Sequence, residues 1–123
     1  GEALLAGSSD HIRIDADARL WYVAEPRDYP YRPSVDVFFE SVAQHHRGTA
    51  VGVLLTGMGR DGAKGMMAMR RAGHRTIAQD ERSSVIYGMP RAAIESGAAV
   101  EVLDVDRIGA AIDRAIRIGA SLR

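Results

Sequence analysis

Hydrophobic and polar positions along this chain change their spacing once, at a connector rich in proline and tyrosine (25–33). Before the connector, short apolar segments at 3–6, 11–15 and 19–23 alternate with polar residues and are interrupted by a polar stretch at 15–18. This alternation predicts a β-hairpin near the N-terminus. The connector itself holds three prolines, so it cannot form the interior of a helix.

After the connector, helical spacing and short apolar runs alternate, which is typical of parallel strands joined by right-handed helical crossovers. The predicted elements are, in order, a helix over 34–46 capped by Ser34, a buried strand over 50–55, a helix over 63–72 ended by Gly73, a strand over 76–79, a short helix from Met89 to Gly97, a strand over 100–103, and a last helix capped by Asp104 or Asp106. The buried face of that last helix is expected to hold Ile108, Ile112, Ala115 and Ile116. The predicted fold class is therefore α/β, a mostly parallel, doubly wound sheet with helices on both sides and a β-hairpin near the N-terminus.

Composition and charge narrow the function classes. The chain has 123 residues, with sixteen basic and sixteen acidic side chains that cancel, and it has no cysteine. A formal charge of zero argues against nucleic acid or an anionic membrane surface as a partner. The longest strongly apolar run, 50–55, is too short for membrane insertion, so we expect a cytoplasmic protein. The adjacent His45 and His46 do not share a helix face, and the pattern predicts neither a metal site nor a cofactor.

A glycine-rich turn follows the predicted strand at 50–55, and its residues permit two interpretations. Gly57, Gly59 and Gly62 satisfy the G-x-G-x-x-G spacing of a dinucleotide-binding domain, with Asp80 near the position of a ribose-binding acid. Against this hypothesis, Asp61 would place a carboxylate in the turn that must receive a pyrophosphate.

The second interpretation makes Asp61 itself functional. Helix amides can hold such an acid ionised, so that it orients and stabilises a histidine cation in acyl transfer. On spacing alone, a purely structural role of Asp61 as the N-cap of the helix that begins at Ala63 is favoured over the functional role. The number of glycines around Asp61 favours the functional role, because a cap requires only one flexible residue.

Several ordered motifs resemble one known family over nearly the whole chain. The runs are PSVDVFF at 33–39, TGMGRDGA at 56–63, TIAQDE at 76–81 and SSVIYGMP at 83–90. They are similar to the C-terminal part of the catalytic domain of CheB-type protein-glutamate methylesterases. The segment at 10–33 is more similar to the methylesterases of Wsp-type chemosensory systems than to the flagellar enzymes.

The resemblance implies an activity, a site and partners. It implies a cytoplasmic serine esterase of a two-component chemosensory system that hydrolyses glutamate methyl esters on methyl-accepting chemotaxis receptors to glutamate and methanol, and that in many members also deamidates glutamines. The implied mechanism uses a Ser-His-Asp triad with no cofactor. By the family pattern, Asp61 is the triad acid and the backbone amide of Met58 is an oxyanion-hole donor. A receiver domain in the same full-length protein is the implied regulatory partner.

Two motifs of that family are missing. The family serine lies in a Ser-Thr-Gly-Gly turn and its histidine in a Gln-His-Met-Pro loop; the only imitation here, Gln44 with His45, ends a predicted helix. We therefore expect residues 1–123 to be the C-terminal portion of a catalytic domain, inactive alone and prone to form homo-oligomers through an uncovered sheet edge. A non-catalytic interaction domain descended from an esterase is a further hypothesis.

Overall fold

The computed structural model describes residues 1–121 and shows an antiparallel hairpin followed by alternating helices and strands. The elements are β1 (His11–Ile14), β2 (Leu20–Val23), α1 (Val35–His45), β3 (Val51–Leu54), α2 (Ala63–Arg71), β4 (Arg75–Gln79), α3 (Met89–Glu95), β5 (Glu101–Leu103) and α4 (Val105–Ser121). Every predicted helix and strand after the connector is present, shifted by at most two residues at its start. None of these helices is long and apolar enough to span a lipid bilayer.

The hairpin forms where the alternation predicted it. Strands β1 and β2 pair antiparallel, with His11 opposite Val23. The turn between them is fixed by Asp15, whose carboxylate accepts hydrogen bonds from the backbone N–H groups of residues 17 and 19. The apolar segment at 3–6 is not a strand: it pairs with nothing else in the described chain, and Leu5 is 94% exposed. The alternation predicted for the hairpin segments therefore does not extend to residues 3–6, which are all apolar and do not select one buried face.

Strands β3, β4 and β5 form a parallel sheet in that order, which confirms the predicted mostly parallel sheet with helices on both sides. Neighbouring residues of β4 point to opposite faces. Ala78 packs into a core with α1, α2 and α3, whereas Ile77 packs against Ile108 and Ala111 of α4. The two apolar cores on either side of one sheet make the three-layer arrangement.

The ends of the helices follow local rules. Ser34 caps α1 by accepting a hydrogen bond from the Val37 N–H. Of the two predicted caps of α4, Asp104 is the one observed, because its carboxylate accepts a hydrogen bond from the Asp106 N–H. On α4 the prediction that Ile116 is buried is wrong, because its side chain is 50% exposed. Residues 108, 111 and 115 follow helical spacing on the buried face, so the stripe passes beside position 116.

A pair of histidines gives the fold a pH dependence. His74 packs near His46 with ring centroids 6.3 Å apart, and burial, with a smaller contribution from His46, lowers the pKa of His74 below its ordinary value of 6.5. Just below that pH the unfolded chain binds more protons than the folded chain, so the free energy of unfolding should decrease as the pH falls through 6.5. In urea titrations between about pH 5 and 7, His74→Asn should reduce this slope. Equal slopes for the wild type and His74→Asn would show that His74 does not cause the loss of stability at low pH.

Candidate active site

The central feature of the site is Asp61, in the turn between the carboxyl end of β3 and the start of α2. Its side chain is buried, with 6% of its surface exposed, and it points at the first turn of α1. Its Oδ1 atom accepts hydrogen bonds from Ser34 Oγ at 2.8 Å and from Asp36 N at 3.1 Å, and its Oδ2 atom accepts from Val35 N at 2.8 Å. The hypothesis that Asp61 caps its own helix is therefore wrong, because it caps the neighbouring helix instead.

The start of α2 is capped in return by an acid from α1. The N-cap residue of α2 is Gly62, at φ 98°, which contributes no side-chain bond. The Oδ1 atom of the buried Asp36 accepts from Gly62 N at 3.0 Å and from Gly65 N at 2.7 Å. Each of the two helices thus receives its cap from the other, and the exchange joins their N-termini. This role of Asp36 was missed from the sequence, although the sequence could place an acidic residue in the first turn of α1.

The hydrogen bonds around Asp61 leave one acceptor position open. A carboxylate offers about two lone-pair directions per oxygen. Oδ1 already accepts two hydrogen bonds from the described residues, whereas Oδ2 accepts one. The amides at the start of a helix carry a partial positive charge, which stabilises the ionised carboxylate. The geometry therefore provides a fixed carboxylate with one unfilled acceptor direction at Oδ2 among the described residues.

A buried histidine supports the residue that holds Asp61. His11 is fully buried, its Nδ1 atom accepts from Ser34 N at 3.1 Å, and its Nε2 atom lies 2.9 Å from the carbonyl oxygen of Pro26. An acceptor role for Nδ1 assigns the proton to Nε2, which donates to that carbonyl. Both ring nitrogens are occupied in linking the connector to α1.

The connector also contributes Tyr29. Its hydroxyl donates to Asp36 Oδ2 at 2.5 Å, and its ring meets the ring of His11 edge-on, with centroids 6.3 Å apart. Burial first, and the bond to Asp36 second, raise the pKa of the Tyr29 phenol far above its usual value. Tyr29 therefore stays protonated and remains a donor to the carboxylate.

On its other side, the glycine-rich turn is held by the segment 86–89. The Gly57 carbonyl accepts from Gly88 N and Met89 N at 3.1 and 2.9 Å, and the Gly57 amide donates to Ile86 O at 3.0 Å. The next amide, that of Met58, makes no hydrogen bond with any of residues 1–121, and the Met58 side chain is 77% exposed. An uncommitted backbone N–H three residues before Asp61 has the chemistry of an oxyanion donor.

The structure gives no support to the dinucleotide hypothesis for Gly57, Gly59 and Gly62. A pyrophosphate would need the free amides at the start of α2. Two of them, at positions 62 and 65, are already bound to Asp36. Asp80 also has another role, because its Oδ1 atom accepts from the backbone and hydroxyl of Ser83, and these bonds lower the pKa of Asp80.

Neither Ser34 nor a histidine completes a catalytic triad with Asp61 among the residues that the structure describes. Ser34 touches Asp61, but its buried hydroxyl already donates to the carboxylate and accepts from the α1 backbone, so it is a cap and not a nucleophile. No histidine contacts Asp61 within the described part of the chain. His45 lies in the last turn of α1, as predicted, and its side chain is exposed. Residues 1–121 contain no group of three His, Asp or Glu side chains placed to hold a metal ion.

An apolar cavity of about 720 Å³ lies beside this site. It is bounded by the N-terminal segment, the hairpin, α1 and β3. Its lining includes Leu5, Trp21, Phe38, Leu55 and Met89. The cavity reaches Ser34 and Thr56, so it extends to both the start of α1 and the glycine-rich turn.

Comparison with known proteins gives a consistent result. The chain is 58% identical over 108 residues to protein-glutamate methylesterase/protein-glutamine glutaminase 2 of Cupriavidus metallidurans and, to the same extent, to the corresponding protein 3 of Pseudomonas aeruginosa. Each alignment covers 88% of this chain and 32% of the relative, so the chain spans about a third of the length of these relatives.

A solved structure and a family sequence profile point to the same family as these relatives. The crystal structure of the CheB methylesterase catalytic domain of Thermotoga maritima superimposes with a TM-score of 0.79 at 29% sequence identity, covering 92% of this chain and 60% of that one. The sequence profile of the CheB methylesterase family matches residues 1–112, which include the hairpin, the connector and the glycine-rich turn. The chain therefore belongs to the CheB methylesterase family.

Proposed function

We propose that residues 1–123 form the C-terminal portion of a protein-glutamate methylesterase catalytic domain and supply the acid of its Ser-His-Asp triad. The observation that carries the proposal is the Asp61 carboxylate, buried, held by three donors and open to one more at Oδ2. The partial coverage of the relatives supports a longer protein in which the serine and the histidine lie outside this chain.

In the proposed reaction the serine hydroxyl of the longer protein attacks the carbonyl carbon of a glutamate methyl ester. The histidine takes the hydroxyl proton, and Asp61 Oδ2 accepts the other ring N–H of that histidine and stabilises the imidazolium. The carbonyl oxygen becomes an oxyanion, which the Met58 amide stabilises by a hydrogen bond. The histidine then protonates the leaving oxygen, methanol departs, and water hydrolyses the acyl-enzyme to glutamate and free serine.

The substrate and partners follow from the family. The names of the relatives combine a methylesterase and a glutaminase, so the proposed substrates are methylated glutamate and glutamine side chains of methyl-accepting chemotaxis receptors. A receiver domain in the same polypeptide is the proposed regulator, in the cytoplasm and without nucleic acid. The exposed apolar cavity supports the further proposal that the isolated segment associates with a second copy of itself.

The test is a measurement of methanol release from a methylated receptor. We expect the full-length protein to release methanol and to release ammonia from the corresponding glutamine form. The segment 1–123 alone should release neither, because a triad acid without its nucleophile and base has no group that can attack the ester. Methanol release by the purified segment above the uncatalysed rate would contradict the proposal that the catalytic serine and histidine lie outside residues 1–123.

A further inference from the structure

We propose that Asp36 and Tyr29 are positioning residues for the esterase reaction, which hold the Asp61 carboxylate in the orientation that meets the histidine. The inference rests on the proposed function, because it takes Asp61 to be the triad acid. Neither residue is expected to touch the substrate. Both are expected to act through Asp61.

Asp36 holds Asp61 from two directions at once. Its backbone N–H donates to Asp61 Oδ1 at 3.1 Å, and its carboxylate accepts the N–H of Gly62, the next residue after Asp61, at 3.0 Å. The two bonds close a small ring between the start of α1 and the turn. A rotation of the Asp61 side chain would break the first bond, and a shift of the turn would break the second. Together they restrict both the rotamer and the backbone of the acid.

A second hydrogen bond accepted by the same carboxylate oxygen of Asp36 extends this restraint into α2. Gly65 N donates to the same oxygen at 2.7 Å, so the first turn of α2 cannot move without Asp36. Asp36 has only 5% of its surface exposed, and a buried carboxylate needs a donor at each oxygen. The second oxygen, Oδ2, receives its donor from Tyr29 at 2.5 Å. The connector therefore completes the set of bonds that holds Asp36 and, through it, Asp61.

Tyr29 is well suited to this role because its own position is fixed. Its ring packs edge-on against His11, which is itself bonded to Pro26 and Ser34. The phenol stays protonated, since its pKa is raised far above neutrality. A neutral phenol adds no third negative charge beside the two buried carboxylates. The proline-rich connector thus has a function in the site beyond linking the hairpin to α1.

The test compares Tyr29→Phe and Asp36→Asn in the full-length protein with methylated receptor as substrate. Tyr29→Phe removes one hydroxyl and keeps the ring against His11. We expect kcat to fall about 10-fold for Tyr29→Phe and more for Asp36→Asn, with KM unchanged, because small displacements of a catalytic group cost up to about 100-fold in rate. The matched control is Tyr22→Phe, which removes a hydroxyl that accepts from Gly7 N at 2.9 Å on the hairpin and makes no hydrogen bond to Asp61.

The pH dependence of kcat/KM in these variants distinguishes a positioning role from a role in folding stability alone. A carboxylate beside the catalytic histidine raises the pKa of that histidine, so a displaced Asp61 should move the acidic limb of kcat/KM to lower pH. A lower melting temperature with wild-type kcat and an unshifted acidic limb in Tyr29→Phe would overturn the proposal. If Asp36→Asn does not fold, the Tyr29→Phe result alone decides.

An Asp61→Asn variant measured in parallel keeps the two proposals apart. Inactive Asp61→Asn together with unaltered Tyr29→Phe and Asp36→Asn would reject only the positioning role. Fully active Asp61→Asn would reject Asp61 as the triad acid, and with it the proposed function.

Discussion

Asp61→Asn in the full-length protein should lower kcat by about 10⁴-fold, the loss that follows when a triad acid becomes an amide. The carboxylate has no hydrogen to donate, and all three of its present partners are donors. Asparagine must place its NH₂ group at one of the two oxygen positions. With the amide oxygen facing Ser34 and Asp36, the NH₂ group faces the Val35 N–H and the histidine, so neither of those N–H groups finds an acceptor. The histidine is then free to adopt the wrong tautomer.

The same variant should also lose stability, because Asp61 caps α1. Loss of charged hydrogen bonds at a buried helix start costs about 1–3 kcal/mol, so kcat must be measured at a temperature where the variant is folded. Asp104→Asn is the matched control: it makes the same chemical change at the cap of α4, where asparagine is as good a cap as aspartate. Asp104→Asn should keep wild-type kcat. Equal kcat for Asp61→Asn and the wild type would exclude Asp61 from the chemistry.

The sequence predicted most of the fold, because each element carries its own local signal. Ser34 lies before the apolar stripe of α1, and Gly73 and Gly97, at φ 93° and 77°, follow the ends of α2 and α3. These signals act within a few residues, where the spacing of side chains determines the structure. The segment at 3–6 lacked such a signal, and its apolar character alone did not make it a strand.

The site was predicted less completely than the fold. The glycine-rich turn and the resemblance singled out Asp61 and Met58, and the roles proposed for these two residues stay predictions. Local rules assigned the Asp61 carboxylate to the helix that follows it in sequence. The packing of α1 against α2 overrode that rule. The Asp61 carboxylate bonds to the first turn of α1 and makes no cap bond to the amides of α2. Asp36 and Tyr29 were missed for the same reason: their partners lie on other elements.

The close contact of α1 with α2 that creates this exchange depends on Gly65, and Gly65→Ala should be strongly destabilising. A Cβ atom at this position would lie 2.7 Å from Phe39 Cβ, 2.8 Å from Asp36 Cα and 2.9 Å from Asp36 O. Two of these atoms belong to the α1 backbone and cannot rotate away. We expect the free energy of unfolding to fall by about 3 kcal/mol, although alanine is the better helix former by about 1 kcal/mol.

The control for Gly65→Ala is the same substitution in α4. Within the described part of the chain, a Cβ atom at Gly109 meets nothing within 4 Å, so Gly109→Ala should raise the free energy of unfolding by up to about 1 kcal/mol through helix propensity alone. Urea titration of both variants measures the difference directly. Because the helices can accommodate the added methyl group only by separating, Gly65→Ala should also lengthen the bonds between Asp36 and the start of α2 and lower kcat in the full-length protein. Similar stabilities for the two variants would show that α1 and α2 are not packed at this distance.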